Sequence, residues 1–155
     1  MKARHDMITV FIVRPDEPGT SHELLQLLRA PAEYMGGTWQ TIRGGVEAGE
    51  TAVAAALREL REESGLTPLE FYRLSSLESF YTVADDTVWH APVFCAMVLR
   101  DAAVNMDHEH TDCRWVPIDA ADRSFMWPGE HALIDEMRRE ILFGGLAKPH
   151  LLIKL

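Results

Sequence analysis

Apolar residues run almost unbroken from Met7 to Val13 and stop at Arg14-Pro15, the pattern of a central strand. Asp16-Glu17-Pro18-Gly19-Thr20 is turn chemistry. The apolar stretch over 23–29 is short for a helix, and Pro31 follows closely; a strand pairing with 7–13 as a hairpin is expected. A loop over 30–37 leads to a short strand at 38–42 and then to Gly44-Gly45. Over 51–64 the period becomes helical. Ala52, Ala55, Ala56 and Leu60 make a small-residue face suited to close packing on a sheet, and Gly65 stands where a left-handed C-cap belongs.

In the second half, 69–77 and 80–83 read as two strands and Ala84-Asp85-Asp86 as a turn. The strongest strand is 87–99, where Pro92 implies an edge position or a bulge. A polar loop over 101–109, a strand over 111–116 and a short helix over 120–125 follow. The last helix, 129–143, carries Leu133, Ile134, Met137, Ile141 and Leu142 on one side. The apolar tail 148–155 either adds a final strand or packs on a neighbouring chain, which leaves a homodimer open. This order predicts an α/β fold, a mixed sheet with helices packed on it, in one domain over 1–155.

A chain of 155 residues can bury a full core without staples. Its formal net charge of −9 argues against binding a nucleic-acid polymer, which needs a basic surface. A polyphosphate substrate stays compatible with that charge if metal ions bridge the two. Cys95 and Cys113 lie in no CxxC or CxxH pattern and are expected to be reduced thiols in a cytoplasmic protein. No stretch approaches the ~20 apolar residues of a membrane span, so no membrane partner is expected.

The chemistry concentrates between Gly44 and Leu66. Glu59, Glu62 and Glu63 fall at i, i+3 and i+4, one face of the helix, where like charges repel by a few tenths of a kcal/mol, roughly, per pair. A hard divalent cation would relieve that repulsion. Gly44 and Gly45 let the backbone come close to a ligand, and a carbonyl in such a loop can itself ligate a metal. Arg58 can reach either Glu62 or Glu50. Mg²⁺ takes oxygen ligands and keeps waters and substrate phosphates in its shell, so a loop carbonyl plus carboxylates from one helix face suits it.

This segment resembles the Nudix box: Gly, five residues, Glu, seven residues, then Arg-Glu-apolar-X-Glu-Glu-X-Gly-apolar. Gly44, Glu50, Arg58, Glu59, Leu60, Glu62, Glu63, Gly65 and Leu66 fill every specified position. The resemblance implies a Nudix α/β/α sandwich, with the box helix and a C-terminal helix packed on a mixed sheet. It implies hydrolysis of a nucleoside diphosphate linked to another moiety, by water attack at phosphorus, with Mg²⁺ (or Mn²⁺). Glu59, Glu62, Glu63 and the Gly44 carbonyl would hold metal, and Arg58 would orient the carboxylates. Glu62 or the later Glu109 would serve as general base. A Nudix domain that only senses a ligand is the non-catalytic alternative, which the intact box disfavours.

Around the box, Gly-Thr-Trp-Gln ending at Gln40, Phe80-Tyr81, Glu109-His110 and Trp127-Pro128-Gly129 are similar to the dihydroneopterin triphosphate and dATP pyrophosphohydrolase group. The implied ligand is a small nucleotide or pterin polyphosphate, with nucleotide sugars and dinucleoside polyphosphates as the alternatives. Trp39 and Trp127 are candidates to stack on its ring; Arg29, Gln40 and Arg43 are candidates for its phosphates, each against a default of solvated surface. Tyr81 and Trp89 are read against core packing. His108 and His110 would share one side of a strand, with no third ligand for a zinc site.

Overall fold

In the computed structural model, which describes residues 1–155, the first apolar run becomes the middle of the sheet. The elements in chain order are β1 (Lys2–Arg4), β2 (Met7–Pro15), β3 (His22–Arg29), β4 (Trp39–Gln40), β5 (Ile42–Gly45) and α1 (Ala52–Ser64). There follow β6 (Glu70–Thr82), β7 (Thr87–Met97), β8 (His110–Pro117), α2 (Ala121–Ser124), α3 (Pro128–Met137), α4 (Lys148–Leu151) and β9 (Leu152–Ile153). The main path through the sheet is β4-β3-β2-β7-β6-β9, with β8 on β3, β5 on β2 and β1 on β7.

Residues 8–13 of β2 are all buried, which is why the run shows no alternation: both faces of the sheet are covered. Ile8, Val10 and Ile12 face α1, where Ala55, Ala56 and Leu60 have no exposed surface. Phe11 and Val13 face the other way, against Phe125, Leu133, Ile134 and Met137 of the C-terminal helical layer. The two layers make the expected α/β/α sandwich. α1 is set locally: the Thr51 hydroxyl accepts the Ala54 N–H at 3.1 Å, and Gly65, at φ 70°, donates its N–H to the Arg61 carbonyl.

β3 forms the predicted hairpin with β2, from Val13 opposite Leu24 to Pro15 opposite His22. The expected 38–42 strand instead divides. Trp39–Gln40 pairs with β3 and Ile42–Gly45 with β2, and Thr41 at the junction donates its hydroxyl to the Val10 carbonyl. The segments 69–77 and 80–83 are one strand, bulged between Arg73 and Leu77. The N–H groups of Ser75 and Ser76 at that bulge are taken up by the Glu136 carboxylate, which sits on α3.

β7 is no edge strand, but the other expectation for Pro92 holds: it stands opposite Leu77, where the β6–β7 register shifts at the bulge. β7 lies between β6 on one side and β1 and β2 on the other, and Pro92 falls between its β1-paired residues 87–89 and its β2-paired residues 93–97. The missing N–H is thus not required by either parallel partner. The expected 129–143 helix is α-helical only to Met137, the end of α3, and continues as a wider π-turn over Arg138–Leu142 that keeps Ile141 buried. The tail adds a strand to its own sheet: β9 pairs with Phe71 and Tyr72. Both cysteines are free, Cys95 fully buried. No helix is long and apolar enough to cross a membrane.

Candidate active site

Gly44 lies on β5 opposite Ile8, and its Cα faces α1 so closely that a Cβ there would overlap the Glu59 carboxylate. Only glycine lets the strand and the carboxylate share that space. Arg58, one residue before Glu59, reaches Glu50 at 3.0 Å, Glu59 at 2.7 Å, Glu62 at 3.2 Å and the Gly45 carbonyl at 2.8 Å. The alternative between Glu50 and Glu62 is therefore resolved as both. Glu62 stays mostly in solvent, whereas the Glu59 and Glu63 side chains are largely covered.

A second segment closes over the carboxylates. The Asn105 N–H donates to the Ser64 carbonyl at 2.8 Å, bringing the loop before β8 onto the end of α1. Glu109, at its end, is ion-paired to Arg29 of β3 at 2.9 Å. His110 is buried; its Nδ1 lies 2.9 Å from Asp107 and its Nε2 3.8 Å from Glu63. His108 is exposed in the turn before the strand, so the two histidines do not share a strand face. Burial pushes the Glu63 carboxyl up to about 9, helped by the charges of Glu59, Asp107 and Glu109. The Glu59 carboxyl is also raised, chiefly by burial, with Arg58 opposing and Glu62 and Glu109 adding to it. Glu109 thus acts on both box carboxylates although it lies 46 positions beyond Glu63 (109 − 63).

The aromatic candidates lie on the other face of the sheet. Trp39 pairs beside Leu28, and its ring is covered by the Arg114 guanidinium at 4.2 Å. Arg114 is held by the fully buried Gln26, whose amide donates to the Ser124 carbonyl at the end of α2. Trp127 caps α3 and is half exposed; the Glu130 carboxylate accepts its N–H at 3.2 Å. Gln40 donates to the Thr38 hydroxyl. Tyr81 and Trp89 are engaged at the far hairpin, Tyr81 with Asp86 and Trp89 beneath Arg4.

Arg43 overturns the surface-charge expectation. It is mostly covered, held between Glu78 of β6, at 2.6 Å, and Glu130 of α3, at 2.8 Å. Burial opposes its charge, but the two carboxylates outweigh that and hold its pKa up. The sequence contains no local signal for this triad, nor for Arg114, because their partners are distant in the chain; Asp107 meets His110 only three positions on.

No three His, Cys, Asp or Glu side chains converge closely enough to make a closed metal cage. The donors present are a carbonyl and carboxylates, with the Gly44 notch held open against Glu59. That set fits a hard divalent cation in an open shell completed by water, since such a cation needs only one or two protein carboxylates. A surface depression of about 570 Å³ lies at the other end of β2 among Pro15, Leu69, Met97 and Leu99 and contains none of these residues.

A family model described as NUDIX domain matches residues 4–137, most of the chain. The chain therefore belongs to the Nudix family. An octanoyltransferase of Myxococcus xanthus is 33% identical over 116 residues, 74% of this chain and 32% of that protein. The chain thus spans about a third of that relative's length. The asymmetrical bis(5'-nucleosyl)-tetraphosphatase of Sus scrofa is 28% identical over 103 residues, 63% of this chain and 68% of that protein. The E. coli dihydroneopterin triphosphate pyrophosphohydrolase superposes with a TM-score of 0.66 at 23% identity, over 84% of this chain and 94% of that one, which is a likeness of fold.

Proposed function

We propose that residues 1–155 form a single Nudix domain that uses Mg²⁺ (or Mn²⁺) to hydrolyse a nucleoside or pterin triphosphate by water attack at phosphorus. The observation that carries this reading is the Gly44 notch filled by the Glu59 carboxylate, on a helix face whose buried Glu63 carboxyl is pushed up to about 9 by burial and by the charges of Glu59, Asp107 and Glu109. Glu59, Glu62, Glu63 and the Gly44 carbonyl would hold the metal, which when bound supplies charge neutralisation at the phosphoryl oxygens and a more acidic water. Arg58 orients the carboxylates through its contacts to Glu50, Glu59 and Glu62. Glu109, held by Arg29, takes the proton from the attacking water, with Glu62 the other candidate on the same face.

Trp39 and Trp127 would stack on the base or pterin, and Arg29 and Gln40 would meet the phosphates. The tetraphosphatase relative supports a second reading, cleavage of a dinucleoside polyphosphate. Free cysteines support a cytoplasmic location, and the net charge of −9 supports a small-molecule ligand over a nucleic-acid polymer. The test is a product panel over nucleoside and pterin triphosphates, nucleotide sugars and dinucleoside polyphosphates with either metal. Pyrophosphate from a triphosphate is expected, with turnover abolished in E63Q. Two nucleotide products would favour the second reading, and no hydrolysis of any member would overturn both.

A further inference from the structure

Arg43, Glu78 and Glu130 form a buried cluster that the proposed reaction does not use. Their side chains are 17%, 7% and 3% exposed. The Thr9 hydroxyl also donates to Glu78, and Thr9 stands opposite Arg43 in the β2–β5 register. Two carboxyl groups share one guanidinium there. Burial raises the Glu130 carboxyl, so the arrangement is held at a cost. A buried ion cluster is weak evidence for stability, because apolar groups of similar volume often serve at least as well. What this one does is tie β5 to β6 and to the first turn of α3, with neither of which β5 pairs in the sheet; β6 and α3 are joined separately, through Glu136.

β5 needs such a joint. It is four residues long and pairs with β2 alone. On its α1 face, Arg58 holds the Gly45 carbonyl and the Gly44 notch receives Glu59. On the opposite face the only charged group it sends into the sandwich is Arg43. Glu130 bonds Arg43 through Oε1 and accepts the Trp127 N–H through Oε2, so one carboxylate ties the Gly44 strand to the turn that presents Trp127.

We propose that Arg43, with Glu78 and Glu130, is a positioning residue that fixes the Gly44 carbonyl from behind the sheet and sets its distance from the Trp127 turn. The proposal rests on the reading of Gly44 and the box glutamates as a metal site. A guanidinium suits the task because its fork serves two carboxylates at once, and an ammonium is a single point charge.

The test is Mn²⁺ titration of the metal-free protein, followed by calorimetry or by the electron-spin signal of free Mn²⁺, together with thermal melting and steady-state kinetics. The variants are E63Q, R43K, E130Q and the charge-free triple variant R43M/E78Q/E130Q. E63Q is expected to weaken Mn²⁺ binding tenfold or more; binding equal to wild type would overturn the metal site itself. Given that loss, R43K and the triple variant are expected to weaken Mn²⁺ binding about tenfold and to raise KM, while melting stays within a few degrees of wild type. E130Q keeps an acceptor for the Trp127 N–H and tests the joint with one charge changed. It is expected to show the smaller part of the same loss. Variants that bind Mn²⁺ as wild type does, or that lose binding only as far as they unfold, would overturn the proposal.

Discussion

Glu63 concentrates the electrostatics of the site in one side chain. In the folded, metal-free chain its carboxyl is pushed up to about 9, against an ordinary value of 4.5. Between those values the folded state holds a proton that the unfolded state has released, so stability falls as pH rises. The contribution is fully present below about pH 4.5 and lost by about pH 9. Urea midpoints of metal-free protein should decline across that window, and E63Q should flatten the decline. Cation capture must expel the same proton, so Mn²⁺ affinity should climb with pH, by at most about tenfold per unit, and level off near the top of the window. An affinity that is flat between pH 6 and 9 would remove Glu63 from the ligand set.

At the scale of elements, α1 is self-contained. Thr51 caps its start and Gly65 its end, and Ala55, Ala56 and Leu60 bury its inner face. T51A should cost about 1 kcal/mol. That lowers the melting temperature by roughly 2–4 °C in a chain of this size, with kcat unchanged, since the cap lies at the opposite end of the helix from Glu63. The same locality made α1 legible in the sequence: the caps, the small-residue face and the box glutamates all lie within one short segment. β6 was less legible. The polar pair Glu78-Ser79 splits its apolar run, and what keeps it one strand is pairing with Ala91 and His90 of β7, with the Glu78 carboxylate taken up by Thr9 and Arg43, 69 and 35 positions away. Arg43 was misread for the same reason, since its partners stand 35 and 87 positions along the chain.

Across the whole molecule the sheet acts as a partition. The carboxylates and Gly44 lie on the α1 side, while Trp39, Gln26, Arg114 and Trp127 lie on the α3 side. The sequence showed both groups but not their separation, because which face Trp39 takes depends on its register beside Leu28. A substrate touching both groups must pass the short edge formed by β5. W39A and W127A should accordingly raise KM about tenfold or more, the scale of a lost base stack, and leave Mn²⁺ affinity unaltered. W89A, beneath Arg4 on the far hairpin, should leave KM as it is. Equal effects from all three would mean that the tryptophans serve the fold alone.

Arg58 touches Glu50, Glu59, Glu62 and the Gly45 carbonyl together. Seen from the side of an arriving ion, that guanidinium is a tethered rival for the same oxygens. Its local concentration is fixed by the chain and cannot be diluted. Loading is then an exchange of one cation's contacts for another's. Arg58 would keep its contacts to the helix and to β5 when the ion departs, so chelation should idle the protein and leave it folded. At the proposed metal site, the same rival would set a floor under the ion concentration needed to fill it.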